Sequence, residues 1–275
     1  MANNPLKKYF RQPKVYIDLP SKGMFNQPGT LTSDPAKLPI FGMTGMDEIL
    51  LKTPDALLNG EATVKVIESC CPTFTNGWDL SVLDLDLMLV AIRIATNGNT
   101  MTVTHSCSAC DAVSDYDIDL GNVIQHFSGL EYDNKIVLKD VAIKIQPLNY
   151  KQWNEFQLKN FGVQRQLAQA MRIDNEEEQS KLIANLFEQV SNIQTEMIFA
   201  QVDSVETSDG VVNQREFIRE WLQNSEKQIF DAIREQVEKN RLAWKIPNIN
   251  VECPECSAKN QVVLDMDQAS FFANA

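Results

Sequence analysis

MTVTHSCSACDAVSDYDIDL, residues 101–120, and PNINVECPECSAKNQVVLDM, residues 247–266, decide how this chain is read. Laid one over the other, they place Cys107 on Cys253, Cys110 on Cys256 and Ile118-Asp119-Leu120 on Leu264-Asp265-Met266. In each, an alternating segment enters a Cys-x-x-Cys knuckle and a second one leaves it. That is the pattern of a hairpin, and the pair is a short internal repeat. One such knuckle is a weak signal, because redox proteins carry it too. Two are strong, since zinc takes four soft ligands in a tetrahedron and each knuckle presents two thiolates from one tight turn. The spacing predicts one closed structural Zn2+ site per chain, held by Cys107, Cys110, Cys253 and Cys256 in a split zinc-ribbon-like pair of hairpins. His105, two residues before Cys107, is an alternative ligand, although a place beside the ligands or on the strand surface suits it better. The competing chemistry is a thioredoxin-type dithiol, and neither knuckle opens a helix after a strand in the βαβ pattern that chemistry uses.

Outward from the knuckles, 275 residues with 44% hydrophobic content are enough for one elaborated domain or two smaller ones. No apolar run approaches the length of a membrane span, and MANNPLKKYFRQPK has a basic start with no apolar stretch behind it. The chain therefore reads as soluble and intracellular, with no membrane contact. Cys70-Cys71, just before Pro72, read as buried free thiols of a reducing compartment. The net charge is −12, from 25 Lys and Arg against 37 Asp and Glu, and Thr104 to Asp119 holds no Lys or Arg at all. Phosphates would be repelled, so no nucleic-acid partner is expected. The basic cluster is at the N-terminus, where Lys7, Lys8, Arg11 and Lys14 surround Tyr9 and Phe10. It reads as a flexible arm or as one that docks on an acidic neighbour. Phe271-Phe272, near the other end, either folds back onto the core or meets a partner.

Catalytic chemistry has little to build with. There are two histidines, His105 and His126, and 11 glycines with no phosphate-binding spacing among them. The carboxylate pairs Asp84/Asp86 and Asp117/Asp119 alternate with apolar residues and read as solvent faces. A non-enzyme with no small-molecule substrate is expected.

The coarse pattern is α+β: a mostly helical chain with a few short antiparallel strands beside the split pair of knuckles. Residues 1–42 read as an arm with short strands at Val15–Leu19 and Leu38–Phe41. Residues 43–128 read as a helical core ending in the first knuckle, with Thr44 and Asp47 as a capping signal for Met46–Leu51, a helix starting at Thr53-Pro54, and a buried helix over Ser81–Ala95 stopped by Asn97-Gly98. Residues 129–240 read as an insertion, with a strand hairpin around Lys139-Asp140, two amphipathic helices between Asn149 and Val202, a turn at Ser208-Asp209-Gly210, and capping boxes at Asn213/Glu216 and Ser225/Gln228. The sequence is then extended from Leu242, and 241–275 hold the second knuckle and tail.

Five stretches carry a family resemblance: the L-P-S-K-G turn at 19–23, M-D-E-I-L-L followed by A-L-L-N-G within 46–60, A-I-R-I-A-T-N-G at 91–98, C-S-A-C at 107–110, and C-P-E-C ahead of a late F-F. In this order they resemble the baseplate-hub and hub-assembly proteins of contractile-tailed phages of the T-even type; residues 129–240 match only in general helical character. The resemblance implies a structural or assembly component of the tail baseplate hub, folded in the infected cell's cytoplasm, carried in the virion tail if retained, and bound by other tail and baseplate proteins. Lys7, Lys8, Phe10 and Arg11 of the arm, with Phe271 and Phe272, are the contact candidates. The rival role is a zinc-ribbon adaptor of transcription or replication machinery, and a dithiol redox protein is the third.

Overall fold

Ser81 sits in extended backbone and its hydroxyl accepts the N–H of Leu83, which starts a helix at Val82; Gly98, at φ +97°, ends it after Asn97. The computed structural model containing this helix describes residues 4–53, 59–138, 140–264 and 271–272. In chain order the elements are β1 (Val15–Ile17), β2 (Leu38–Ile40), α1 (Gly45–Leu51), α2 (Glu61–Cys70), α3 (Val82–Asn97), β3 (Thr100–Ser106), β4 (Val113–Asp119), α4 (Leu120–Phe127), β5 (Lys135–Leu138), β6 (Val141–Ile145), α5 (Tyr150–Ala170), α6 (Glu176–Ala200), β7 (Val202–Thr207), β8 (Gly210–Val212), α7 (Arg215–Asn224), α8 (Lys227–Ala243), β9 (Ile249–Glu252) and β10 (Lys259–Val262). None of the described helices is long and apolar enough to cross a membrane. The chain divides into two compact units, Met1–Leu130 with Lys245–Ala275, and Glu131–Trp244.

The first unit is built on α3. Leu85, Leu87, Met88, Leu89, Val90 and Ile92 are all buried, as a helix apolar round most of its circumference must be. Val66, Ile67 and Cys70 of α2, Leu38 and Ile40 of β2, and Val123 and Phe127 of α4 are buried with them. β1 and β2 pair antiparallel, Val15 opposite Ile40. α1 begins in a full capping box: Thr44 Oγ1 accepts the Asp47 N–H and Asp47 Oδ2 accepts the Thr44 N–H.

Asp84 is not on a solvent face. It is fully buried, its Oδ1 accepts the Ser21 N–H at 3.0 Å, and its Oδ2 accepts the Ser21 hydroxyl at 2.5 Å. The L-P-S-K-G turn, with Lys22 at φ +53° and Gly23 at φ +71°, folds inward to deliver that serine. Asp117 and Asp119 do face water, the first accepting the Thr102 hydroxyl and the second capping α4 at Gly121.

In the second unit the sheet runs β5-β6-β7-β8, all antiparallel. Its buried residues Ile136, Ile143, Ile145, Val202 and Val205 pack with Ile198 and Phe199 of α6, Ile218 and Leu222 of α7, and Ile233 of α8. α5 and α6 share a seam of Val163, Ala170 and Leu186, flanked by Leu167, Ile183, Val190 and Ile193. Asn175 caps α6 and Glu176, Glu177 and Glu178 fill its first turn, where carboxylates suit the helix dipole.

Several local expectations fail. α7 starts after Gln214 and α8 after Glu226, neither with a side-chain cap, so the Asn213/Glu216 and Ser225/Gln228 boxes do not form. Pairing of β8 keeps the chain extended through Val212, and the Ser225 hydroxyl donates back to the Leu222 carbonyl in the last turn of α7. α8 runs on to Ala243, past the expected start of extended chain at Leu242. The helix expected from Thr53-Pro54, Lys139 of the expected hairpin turn, and Asp265-Met266 lie outside the described residues.

Candidate metal centre

The two knuckles are the same turn built twice. β3 and β4 pair from Thr100↔Asp119 to Ser106↔Val113, and β9 and β10 from Ile249↔Val262 to Glu252↔Lys259. At the tip of the first hairpin the Cys107 N–H donates to the Ala112 carbonyl and the Asp111 N–H to the Cys107 carbonyl, at 2.9 and 3.0 Å. At the tip of the second the Cys253 N–H donates to Ala258 and the Ser257 N–H to Cys253, both at 2.9 Å. Asp111 and Ser257 occupy corresponding places and share a left-handed backbone, φ +56° and +58°. Each turn thereby points two sulfurs the same way.

The hairpins face each other. Cys107 Sγ lies 3.7 Å from Cys256 Sγ, Cys110 Sγ lies 3.7 Å from Cys253 Sγ, and all four sulfurs fall within 4.8 Å of one another. A tetrahedron with metal–sulfur bonds of about 2.3 Å has sulfur–sulfur edges of roughly 3.8 Å. A disulfide needs about 2.05 Å, so these are four separate sulfurs at metal-binding spacing. Cys107 and Cys253 are buried, while Cys110 and Cys256 reach the surface. The arrangement can hold a metal ion and leaves no protein ligand missing from a four-coordinate site. His105 stands on β3 opposite Ser114 and is not a member of the cluster.

Neutral donors serve one sulfur in particular. Cys107 Sγ accepts from the Ala109 N–H and from Asn260 Nδ2, both at 3.4 Å, and these bonds hold its thiol down at about 6. Burial does the opposite at Cys70, whose thiol is pushed up to about 12. Within the cluster the effect belongs to Cys107 alone: Cys110, beside the other three sulfurs, is pushed up to about 12, and Cys256 is raised as well.

The partner-contact candidates separate into two groups. Lys7 and Lys8 are exposed on a single 3-10 turn, Pro5–Tyr9, with Leu6, Tyr9 and Phe10 beside them at 61%, 73% and 56% exposure. Arg11 is engaged within the chain: it donates to the Gly42 and Ser69 carbonyls, both at 2.6 Å, and to Ser69 Oγ, and lies 3.6 Å from Asp47. Phe271 and Phe272 are buried, and the Phe271 carbonyl accepts from the buried Arg93 at 2.8 Å. Two further residues matter that the spacing of cysteines did not mark. Asn260 is one; Arg93, in the middle of an apolar helix, is the other.

A protein-family model described as T4 bacteriophage base plate protein matches residues 42–273. No curated protein and no solved structure matches the chain.

Proposed function

The chain belongs to the T4 bacteriophage base plate protein family, and from that premise we propose that it is a subunit or assembly factor of the baseplate hub, held by other tail proteins and stapled by one structural zinc ion. The family match is the observation that carries the baseplate role. What supports a binding role for the N-terminus is its exposure: three large apolar side chains and two lysines stand out on a short turn whose far end Arg11 ties to α1 and α2. Apolar residues fringed by charge, set on an anchored segment, are suited to docking on an acidic, partly apolar neighbour. Zinc, when bound, supplies a four-thiolate cross-link with no open position for substrate. The protein is made in the host cytoplasm and acts where tails are assembled.

The arm is tested by point variants, because deleting it would also remove the Arg11 contacts that belong to the fold. Lys7→Glu/Lys8→Glu/Phe10→Ala is expected to leave thermal unfolding unchanged and to cut co-purification with hub proteins at least tenfold when tail genes are co-expressed. Undiminished co-purification overturns the assignment of the arm. Absence of the wild-type protein from every hub complex overturns the hub role itself.

A further inference from the structure

The two knuckles share a backbone, and among the positions at which their sequences differ one matched pair sets how they dock on each other. Where the first has Ser108 the second has Pro254, and where the second hairpin has Asn260 the first has Ser114. Proline carries no N–H, so the second knuckle presents no donor there; the first does. Asn260 receives it. The Asn260 side chain is 4% exposed, and its Oδ1 accepts both the backbone N–H and the hydroxyl of Ser108, each at 3.0 Å. Its Nδ2 donates to Cys107 Sγ at 3.4 Å and to the Ala258 carbonyl at 3.1 Å. Two acceptor sites and two donors are all the amide has, and all four are used.

Three of those four bonds cross from the second hairpin to the first. They join the knuckles without the metal, through a neutral group that adds nothing to the charge of four thiolates around a divalent ion. The N–H···S bond also draws charge off the sulfur and fixes the direction in which Cys107 presents its lone pair.

We propose that Asn260 is the positioning residue that turns two separate two-cysteine turns into one preformed intrachain metal site, by docking the first knuckle through Ser108 and orienting the Cys107 sulfur. This rests on the zinc reading above. Groups that orient a ligand from outside the coordination sphere typically contribute tenfold to a hundredfold in metal affinity, and here the same group also assembles the two halves.

The repeat supplies its own mild test variants. Asn260→Ser and Ser108→Pro each place in one hairpin the residue that its counterpart already carries, so both are compatible with the local turn. With the full-length protein and Zn2+ alone as probe, chelator competition gives the dissociation constant, and stopped-flow transfer to a chromogenic chelator gives the release rate. Each variant is expected to weaken zinc binding by about tenfold to a hundredfold and to release it faster. The double variant is expected to be little worse than Asn260→Ser, because Ser108→Pro removes only donors that Asn260→Ser has already left without their acceptor. The Co2+ complex of Asn260→Ser should show a shifted sulfur-to-metal charge-transfer band, which a residue acting only in folding would not move. If the wild type holds one zinc and Asn260→Ser matches its affinity, release rate and Co2+ spectrum, the role of Asn260 is overturned while the zinc site stands. If the wild type holds no zinc, both fall together.

Discussion

Asp84 occupies the third position of α3, in an environment that gives it one partner residue. Ser21 supplies an N–H and a hydroxyl, and the N-terminus of the helix favours negative charge, yet burial outweighs both and raises the carboxyl to about 6 from its ordinary 3.8. Because the folded-state value lies above the unfolded one, the native state binds this proton more tightly. The stability it contributes is complete below about pH 4 and is lost as pH rises through 6, so the ionised group costs on the order of 3 kcal/mol at neutral pH. Asp84→Asn keeps the amide oxygen for the Ser21 N–H and removes the titration. Unfolding by urea with zinc saturating at pH 7.5 and 5.5 is expected to show the wild type gaining about 1 kcal/mol relative to the variant on acidification. A gap between the two proteins that does not change with pH would show that Asp84 is not the group responsible. Neither the burial nor the partner was legible beforehand: Asp84 and Asp86 alternate with leucines, and the serine that meets Asp84 lies 63 residues away along the chain. Asn260 was hidden in the same way, a single polar residue in a short alternating strand, with the Ser108/Pro254 difference as the one signal that could have exposed it.

Elements whose signals are local were readable, and those set by pairing were not. The Thr44/Asp47 box caps α1, and Ser81 and Gly98 bound α3, because a cap is made by residues within a turn of the terminus it serves. Val202–Thr207 follows α6 with no break in its apolar pattern, and becomes β7 because β6 and β8 lie on either side to pair with it. The same logic of close approach applies where the chain leaves β2. A Cβ on Gly42 would sit 2.7 Å from the Ala95 carbonyl oxygen in the last turns of α3, while the next residue, Met43, donates its N–H to Thr96 Oγ1 at 2.9 Å. Backbone on both sides leaves nothing soft to move. Gly42→Ala is therefore expected to destabilise the protein by about 1 to 3 kcal/mol, read as a lowered melting temperature with metal affinity unchanged. Retained stability would mean that the β2 exit and α3 can part without cost, against the Arg11, Met43 and Ala95 contacts that converge there.

At the scale of the whole chain, the residues that unite the sulfur cluster are also those that enclose the second unit. Chain leaves the first unit after Leu130 and rejoins it at Lys245, between the knuckle of Cys107 and Cys110 and that of Cys253 and Cys256. A metal shared by the two knuckles closes this loop. By analogy with a disulfide across a loop of comparable length, closure restricts the unfolded chain by about 5 kcal/mol in the chain-entropy treatment. The reading predicts one zinc per chain in native mass spectrometry, and none after Cys253→Ser, with a lower melting temperature. It also predicts where the loss is felt. Hydrogen exchange after chelation should rise in β3–β4 and β9–β10, whose tips lose the ion. It should change little in the β5-β6-β7-β8 sheet, which has its own core of Ile143, Ile145, Val202 and Ile233. α3 should also keep its protection, since Arg93 holds the Phe271 carbonyl and anchors the tail without the metal. Equal loss of protection in the sheet would mean that the two units unfold as one, so that the metal stabilises the entire chain and the role of the staple extends beyond the two hairpins it joins.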